Sequence, residues 1–266
     1  MPTTVPSRNF ADTDAPGARR ATFARIAAIA ITFACAGNWP AARADAPAAP
    51  ATVDYAAIVA STVRTDDDRS ADARRNPVEL LKFAQVAPGM KVMDLSAGNG
   101  YTTQLLALAV GPGGSVAAQM GKMRPGFEKR LAAHPQANIR ALVRPFTDPY
   151  PDDAPRLDLI TFVLNYHDIA NEPIDRAQMN AHLFAALRRG GHLVLIDHAA
   201  QDGSGLRDTK TLHRIDEKVV VDELQHAGFV VEARSDFLRN PADPRTKAFF
   251  DMDVPSDRFA LRLVRP

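Results

Sequence analysis

The residues of this chain that could do chemistry fall into a few short clusters. Asp94-Leu95-Ser96-Ala97-Gly98-Asn99-Gly100 sets a carboxylate just ahead of two glycines. Gln119 stands alone, Asn165-Tyr166-His167-Asp168 form a polar run, Asp197-His198 a pair, and His213 follows in a loop-like stretch. Gly98 and Gly100 let a backbone approach a ligand closely and turn into a helix. Asp94 places negative charge beside that ligand, which suits a cationic or zwitterionic molecule. A dinucleotide loop fits poorly: its third glycine would fall where Thr103 stands, and a carboxylate is unwelcome beside a pyrophosphate. The bland alternative is a tight strand-to-helix turn capped by Asp94. His167 is the first candidate general base, because an imidazole ordinarily titrates near neutrality. Tyr166 and Asn165 beside it would shape the pocket or hold a substrate, and His198 and His213 come next. The same run also reads as a hydrogen-bonded loop start. Three histidines with Asp168, Asp197 and Asp208 carry the donor types of a divalent-metal site, but their spacing matches no known ligand pattern, so no metal is assigned. Asp216 reads as a helix cap. Asp66-Asp67-Asp68 reads as a solvated turn rather than a calcium loop, since no later glycine and glutamate complete one.

Alternating helix and strand patterns must position these groups. Apolar residues at helical spacing mark residues 55–63, before a charged stretch at 64–75. Asn76-Pro77 opens a short helix that Pro88-Gly89 ends. Strands are expected at 91–95, 115–119, 139–143, 157–164, 192–196, 229–234 and 259–264. Helices are expected at 101–110, 126–134, 179–188 and from Asp216 to Ala227, with Gly190-Gly191 capping the one before the fifth strand. The fourth strand is apolar except for Asp158 and Thr161, as in a strand covered on both faces. Strands separated by helices pair in parallel, with right-handed crossovers. The expected fold is therefore α/β: a Rossmann-like three-layer sandwich with a mostly parallel seven-stranded sheet and helices on both faces. Ligands of such sheets bind at the carboxyl ends of the strands. Asp94, Gln119, the 165–168 run and Asp197-His198 all sit at strand ends.

Val92-Met93-Asp94-Leu95-Ser96-Ala97-Gly98-Asn99-Gly100-Tyr101-Thr102 resembles the first motif of class I S-adenosylmethionine-dependent methyltransferases, D-x-G-x-G-x-G, with Ser96 at the first glycine. The stretch from Ala185 to Asp197 is similar to the family's helix, Pro-Gly-Gly-type turn and fifth strand, with Arg189 at the proline. The segments Asp197-His198-Ala199-Ala200, Thr211-Leu212-His213-Arg214-Ile215-Asp216 and Leu238-Arg239-Asn240-Pro241 resemble a narrower bacterial group of predicted methyltransferases with signal peptides. Together the matches cover roughly residues 54–266.

The resemblance implies S-adenosyl-L-methionine as cofactor and methyl transfer as the reaction. Gly98 and Gly100 would line the methionine part, and Asp94 would hold its ammonium or orient the loop. Gln119 stands where the family carries an acid for the ribose hydroxyls; an amide can replace the bonds but not the charge. Asp148 would meet the adenine amino group, with Phe146 packing on the ring. Ser96 and Asn165 join the cofactor-binding set. His167, Tyr166 and His198 are the catalytic candidates. The alternative is an exported, non-catalytic binding protein for a nucleoside-like or other small ligand on the same fold. An NAD-dependent oxidoreductase is a third option.

The 266 residues hold 32 Lys plus Arg against 31 Asp plus Glu and a single cysteine. One domain fits this length, and one cysteine makes no internal disulfide, Cys-rich zinc site or iron–sulfur cluster. Near-neutral charge gives no electrostatic reason to expect a nucleic-acid partner; the expected partner is a small-molecule substrate. Arg19, Arg20 and Arg25 precede the apolar run 26–37, and Ala42-Arg43-Ala44 offers small residues to signal peptidase. Residues 1–44 are therefore expected to be a signal peptide and 45–53 a Pro/Ala linker, giving a periplasmic or secreted protein with no stable membrane anchor after cleavage. The apolar run is too short for a spanning helix, which needs about 20 residues. Cleavage after Ala44 would remove Cys35, Asp12, Asp14 and the arginines at 8, 19, 20, 25 and 43, turning a slight positive balance into a slight negative one. A disordered tail on a cytosolic protein is the alternative.

Overall fold

A computed structural model describes residues 53–266, so the expected signal segment 1–44 and nearly all of the linker 45–53 lie outside the described residues. Three helices come first, α1 (Tyr55–Val59), α2 (Asp66–Arg75) and α3 (Pro77–Ala84). Then follow β1 (Lys91–Leu95), α4 (Tyr101–Val110), β2 (Ser115–Met120), α5 (Pro125–Ala133), β3 (Ile139–Val143) and β4 (Leu157–Val163). The remainder is α6 (Tyr166–Ile169), α7 (Arg176–Ala186), β5 (Leu187–His198), α8 (Glu217–His226), β6 (Val230–Ser235) and β7 (Arg258–Val264).

The seven strands form one sheet in the order β3-β2-β1-β4-β5-β7-β6. Strands β1 to β5 pair in parallel, whereas β7 runs antiparallel to both β5 and β6. The sheet is thus mixed. The segment between β6 and β7 carries only a short 3-10 turn at Phe249–Asp251. Without a crossover helix to carry the chain back, the last strand returns alongside its predecessor in the opposite sense.

Side chains alternate across the sheet with period two. Met93, Leu95, Ile160, Phe162, Leu193 and Leu195 point to one face, where they pack with Tyr166, Met179, Leu183 and Leu224 of α6, α7 and α8. Val92, Leu159, Val194 and Ile196 point to the other, against Leu80, Leu81, Leu105 and Leu106 of α3 and α4. The buried strand β4 therefore has helices on both sides, as its apolar run suggests.

Two local expectations need correcting. Gly190-Gly191 does not cap α7: that helix ends at Ala186, and the glycines lie within β5, where Leu187 pairs with Leu157 and His192 with Leu159. The residues between form a bulge, and a Cβ on Gly191 would come within 2.9 Å of the Arg188 carbonyl. Asp66-Asp67-Asp68 is not a solvated turn but the first turn of α2. Thr65 and Asp68 form a reciprocal capping box, with the Asp68 N–H donating to Thr65 Oγ1 at 3.2 Å. Asp68 is buried and takes a two-pronged bond from Arg130 of α5, both contacts at 2.7 Å. Asp216 caps α8 as expected, accepting from the Lys218 N–H. Among the described residues no helix is long and apolar enough to cross a membrane.

Candidate active site

Strand order reverses between β1 and β4, so the loops after these strands diverge and leave a crevice at their carboxyl ends. A cavity of about 690 Å³ opens there, within the range of roughly 300–1,000 Å³ typical of small-molecule sites. Ser96 and Gly98 from the loop after β1, Met120 at the end of β2 with Gly121 and Lys122 after it, Phe146 after β3 and Asn165 and Asp168 after β4 contribute to its wall. Lys210 and His213 close it from the segment after β5.

The loop after β1 owes its shape to three left-handed residues, Ser96 (φ 59°), Gly98 (φ 57°) and Gly100 (φ 85°). Ser96 accepts a conformation usually left to glycine. Its bonds hold it there: the Ser96 N–H donates to Gln119 Oε1 at 3.2 Å, and its hydroxyl donates to Asn165 Oδ1 at 2.7 Å. Gly100 faces away from the cavity; a Cβ there would come to 3.0 Å from the Phe127 ring and 3.1 Å from Arg130. Its role is close packing of the loop on α5.

Asp94 also lies behind the cavity. It is buried, accepts from the Thr103 hydroxyl at 2.6 Å and the Thr161 hydroxyl at 3.0 Å, and so braces β1 against α4 and β4. Burial pushes its carboxyl up to about 6, against the pull of the two hydroxyls and of Arg75. Its side-chain contacts go to α4 and β4 rather than into the cavity.

Gln119 is fully buried. Its Oε1 takes the Ser96 N–H and its Nε2 donates to the Arg144 carbonyl at 2.7 Å, so both ends of the amide are spent within the protein. The residue that β2 presents to the cavity is Met120, one position on, followed by Gly121 and Lys122. Asp148 does not reach the cavity wall; it pairs with Arg144 and approaches His182 at 3.7 Å. Phe146 does line it.

The run after β4 divides by direction. Leu164 takes φ 59°, turning the chain sharply into the single helical turn of α6. Asn165 and Asp168 face the cavity. Tyr166 points into the core beneath α7 and α8, where its hydroxyl donates to Glu223 at 2.6 Å and accepts from Asn180 at 2.8 Å. It does not line this cavity, so the expected catalytic or pocket-shaping role has no geometry here to support it.

His167 is 2% exposed and sits behind Asp168. Asp197 at the end of β5 grips it twice, accepting its backbone N–H at 2.8 Å and bonding Nδ1 at 2.6 Å. Its Nε2 lies 3.3 Å from Asp168 Oδ1. Burial alone would lower its pKa, but the charge of Asp197 and the bonds to Asp168 and Asp197 outweigh it and hold the imidazole up at about 9. The bare protein therefore carries a proton on His167 at neutral pH, the opposite of the free base expected from its residue type.

His213 (φ 52°) brings Nδ1 to 3.0 Å from the same Asp168 Oδ1 and lines the cavity. His198 lies deeper. It stacks on Phe249 at 4.1 Å, bonds Ser256 Oγ through Nδ1 at 2.6 Å, and is driven down to about 2 by burial and by the Arg258 charge. A neutral, buried His198 without access to the cavity supports its neighbour His167, whose ring it meets edge-on at 5.7 Å. Asp208 is occupied by Arg207.

Of the expected site residues, Ser96, Gly98 and Asn165 thus meet at the cavity. Asp94, Gly100, Gln119 and His167 form the layer behind it, while Tyr166, His198 and Asp148 lie elsewhere. Sequence reasoning passed over Met120, Lys122, Arg124, Ile169 and Lys210 as cavity residues. Met120 was findable, because alternation along 115–120 puts it on the opposite face from Gln119.

No family model and no curated protein matches the chain. Solved structures do. A SAM-dependent methyltransferase from Aquifex aeolicus matches with a TM-score of 0.56 at 20% identity, over 81% of this chain and 100% of that one. The [4+2]-cyclase SpnF matches with a TM-score of 0.54 at 12% identity, over 75% of this chain and 80% of that one. At such identities the likeness speaks for architecture alone, and the second neighbour is a reminder that this architecture hosts more than one chemistry. Residues 53–266 have the fold of class I methyltransferases, with a cavity at its switch point.

Proposed function

We propose that the chain uses S-adenosyl-L-methionine to methylate a small molecule held in the switch-point cavity. The observation that carries this reading is the left-handed loop Ser96–Gly98 after β1, which forms the cavity floor at the place where the fold binds its ligands. The cofactor would supply an electrophilic methyl group on a sulfonium. Ser96 and Gly98 offer close backbone approach to its methionine part, and Phe146 and Met120 offer apolar surface to the adenine. The ribose finds no carboxylate at the end of β2, because Gln119 is spent on the loop and Met120 faces the cavity. Affinity is accordingly expected to be weak for the family.

The opposite end of the cavity is polar, with Asp168, Asn171, Glu172, Lys210 and His213. A hydroxyl or amine acceptor fits there, aligned with the methyl and deprotonated at that end. His167 does not line the cavity; it stands behind Asp168, with Nε2 3.3 Å from Asp168 Oδ1.

Export belongs to the same proposal. Residues 1–44 direct the chain out of the cytosol and are cleaved after Ala44, which makes Asp45 the first residue of the mature protein. Edman sequencing of the protein from a periplasmic fraction tests it; an intact Met1 there, or protein confined to the cytosol, would reject it.

Isothermal calorimetry of the purified chain with S-adenosylhomocysteine tests the main reading, with saturable heat at millimolar ligand or below expected. No heat at millimolar concentration sinks it. Binding of the cofactor with no turnover across a broad panel of acceptors would favour the non-catalytic binding protein instead.

A further inference from the structure

We propose that His167, Asp168 and His213 form a binding site for one divalent transition-metal ion at the polar end of the cavity. The proposal deepens the reading above by assigning the acceptor end of the same cavity.

The donor atoms converge on a point. His167 Nε2 lies 3.3 Å and His213 Nδ1 3.0 Å from Asp168 Oδ1, and all three atoms fall within 4.8 Å of one another. Metal–ligand bonds of about 2.0–2.1 Å to imidazole nitrogen and carboxylate oxygen put tetrahedral neighbours roughly 3.3 Å apart. The two nitrogen-to-oxygen separations lie close to that edge, and the two nitrogens are within 4.8 Å of each other.

The surroundings orient each donor as a metal site requires. Asp197, itself fully buried, holds His167 Nδ1 and thereby aims Nε2 at Asp168; a carboxylate behind the histidine is the usual second partner of a metal-bound imidazole. Asn165 Nδ2 donates to Asp168 Oδ2 at 3.1 Å and leaves Oδ1 for the ion. Phe249 and Phe250 pack edge-on against the His213 ring at 6.2 and 5.4 Å, which walls one side of the cluster with apolar surface. The other side is open: the Asp168 and His213 side chains are 43% and 34% exposed and line the cavity.

Two imidazoles and one carboxylate with open positions suit Zn²⁺, Fe²⁺, Co²⁺ or Ni²⁺ better than the all-oxygen shells of Mg²⁺ and Ca²⁺. An oxygen of the acceptor would take an open position. The ion would fix it beside the methyl donor and favour loss of its proton to water.

The test needs neither cofactor nor substrate. The untagged full chain, stripped with a chelator, is titrated with Co²⁺ while visible absorption is read, and with Zn²⁺ and Mg²⁺ by calorimetry. Expected are one Co²⁺ and one Zn²⁺ per chain, with Mg²⁺ binding far weaker. His213→Ala and Asp168→Asn should each weaken Zn²⁺ at least tenfold, while His226→Ala, on an exposed histidine outside the cluster, should not. Circular dichroism of each variant shows that it is folded, and either one alone suffices for the comparison. No stoichiometric uptake, uptake unchanged in the folded cluster variant, or equal affinity for Mg²⁺ would overturn the proposal. Because the cofactor is absent throughout, such a failure leaves the methyl-transfer reading standing, and failure of S-adenosylhomocysteine to bind leaves the metal site standing.

Discussion

The Ser96 hydroxyl donates to Asn165 Oδ1 at 2.7 Å, bridging the loop after β1 and the end of β4 across the switch point. The bond continues a chain. Gln119 holds the Ser96 N–H on one side, and Asn165 Nδ2 reaches Asp168 on the other. One line of polar contacts therefore runs from β2 through the Ser96 loop to the polar end of the cavity. Asn165→Ala breaks the line in two places. We expect about a tenfold loss in S-adenosylhomocysteine affinity, the worth of one to two hydrogen bonds at about 1 kcal/mol each. Ser96→Gly keeps the left-handed backbone and should cost less. Calorimetry on both variants checks the order; a Ser96→Gly loss larger than that of Asn165→Ala would contradict it.

Tyr166→Phe separates scaffold from site. The hydroxyl it removes serves Glu223 and Asn180 in the core, and Glu223 also takes a fork from Arg176 at 2.7 to 3.2 Å. Denaturant unfolding should show a loss of about 1–2 kcal/mol, with Glu223 left partly unsatisfied. Cofactor affinity should stay within twofold of the unsubstituted chain. A tenfold drop in affinity with unchanged stability would return Tyr166 to the site.

Much of this arrangement is legible in the sequence. The β1 and α4 bounds follow from a short apolar run and from the glycine breaks at 98–100 and 111–114. What escapes is decided by parity and by distance along the chain. A strand sends neighbouring side chains to opposite faces, so one position separates Gln119, locked under the loop, from Met120, open to the cavity. Tyr166 and His167 are adjacent in sequence, yet α6 turns one into the core and the other toward Asp168. The αL turn at Leu164 that causes this carries no glycine to signal it. The convergence of His213 on Asp168 spans 45 residues, and no local pattern encodes it. The capping box at Thr65 and Asp68 was readable in the sequence, but a run of three aspartates looks like solvated surface until Arg130 is placed beside it.

That pair supplies a stability prediction. Asp68 and Arg130 are both largely buried and bonded through two prongs, and Arg130 also donates to the Asn99 carbonyl at 2.7 Å and packs against Gly100. Burial works to raise the Asp68 carboxyl, but Arg130 and the Thr65 bonds hold it below its ordinary value. A depressed acid contributes stability that is full above its unfolded pKa and is lost as pH falls through the folded one. Arg130→Ala leaves a buried carboxylate unpaired and should cost about 3–5 kcal/mol near neutrality. The gap between variant and unsubstituted chain should narrow as pH drops below about 4, where the unfolded chain takes up a proton that the Arg130-paired folded carboxylate resists until the pH passes its depressed value. Equilibrium urea unfolding from pH 7 to pH 3 measures it; a gap that stays constant with pH would mean that Arg130 acts by packing alone.

Asp94 predicts the reverse sign. Its folded carboxyl is raised to about 6 by burial, above its ordinary value of 3.8. Between these values the folded state binds the proton more tightly than the unfolded chain, so this group's contribution to stability falls as pH rises from about 4 to 6 and is flat above. Asp94→Asn abolishes the titration while offering Thr103 and Thr161 an oxygen acceptor and an amide donor, to which their hydroxyls can rotate. The variant's stability relative to the unsubstituted chain should therefore climb across that window. The amide of Asp94→Asn faces Thr103 rather than the cavity, so cofactor affinity should change less than tenfold. Urea unfolding and S-adenosylhomocysteine calorimetry on one preparation decide both points: a flat stability difference would mean that Asp94 titrates normally, and a hundredfold loss of affinity would mean that its carboxylate touches the ligand after all.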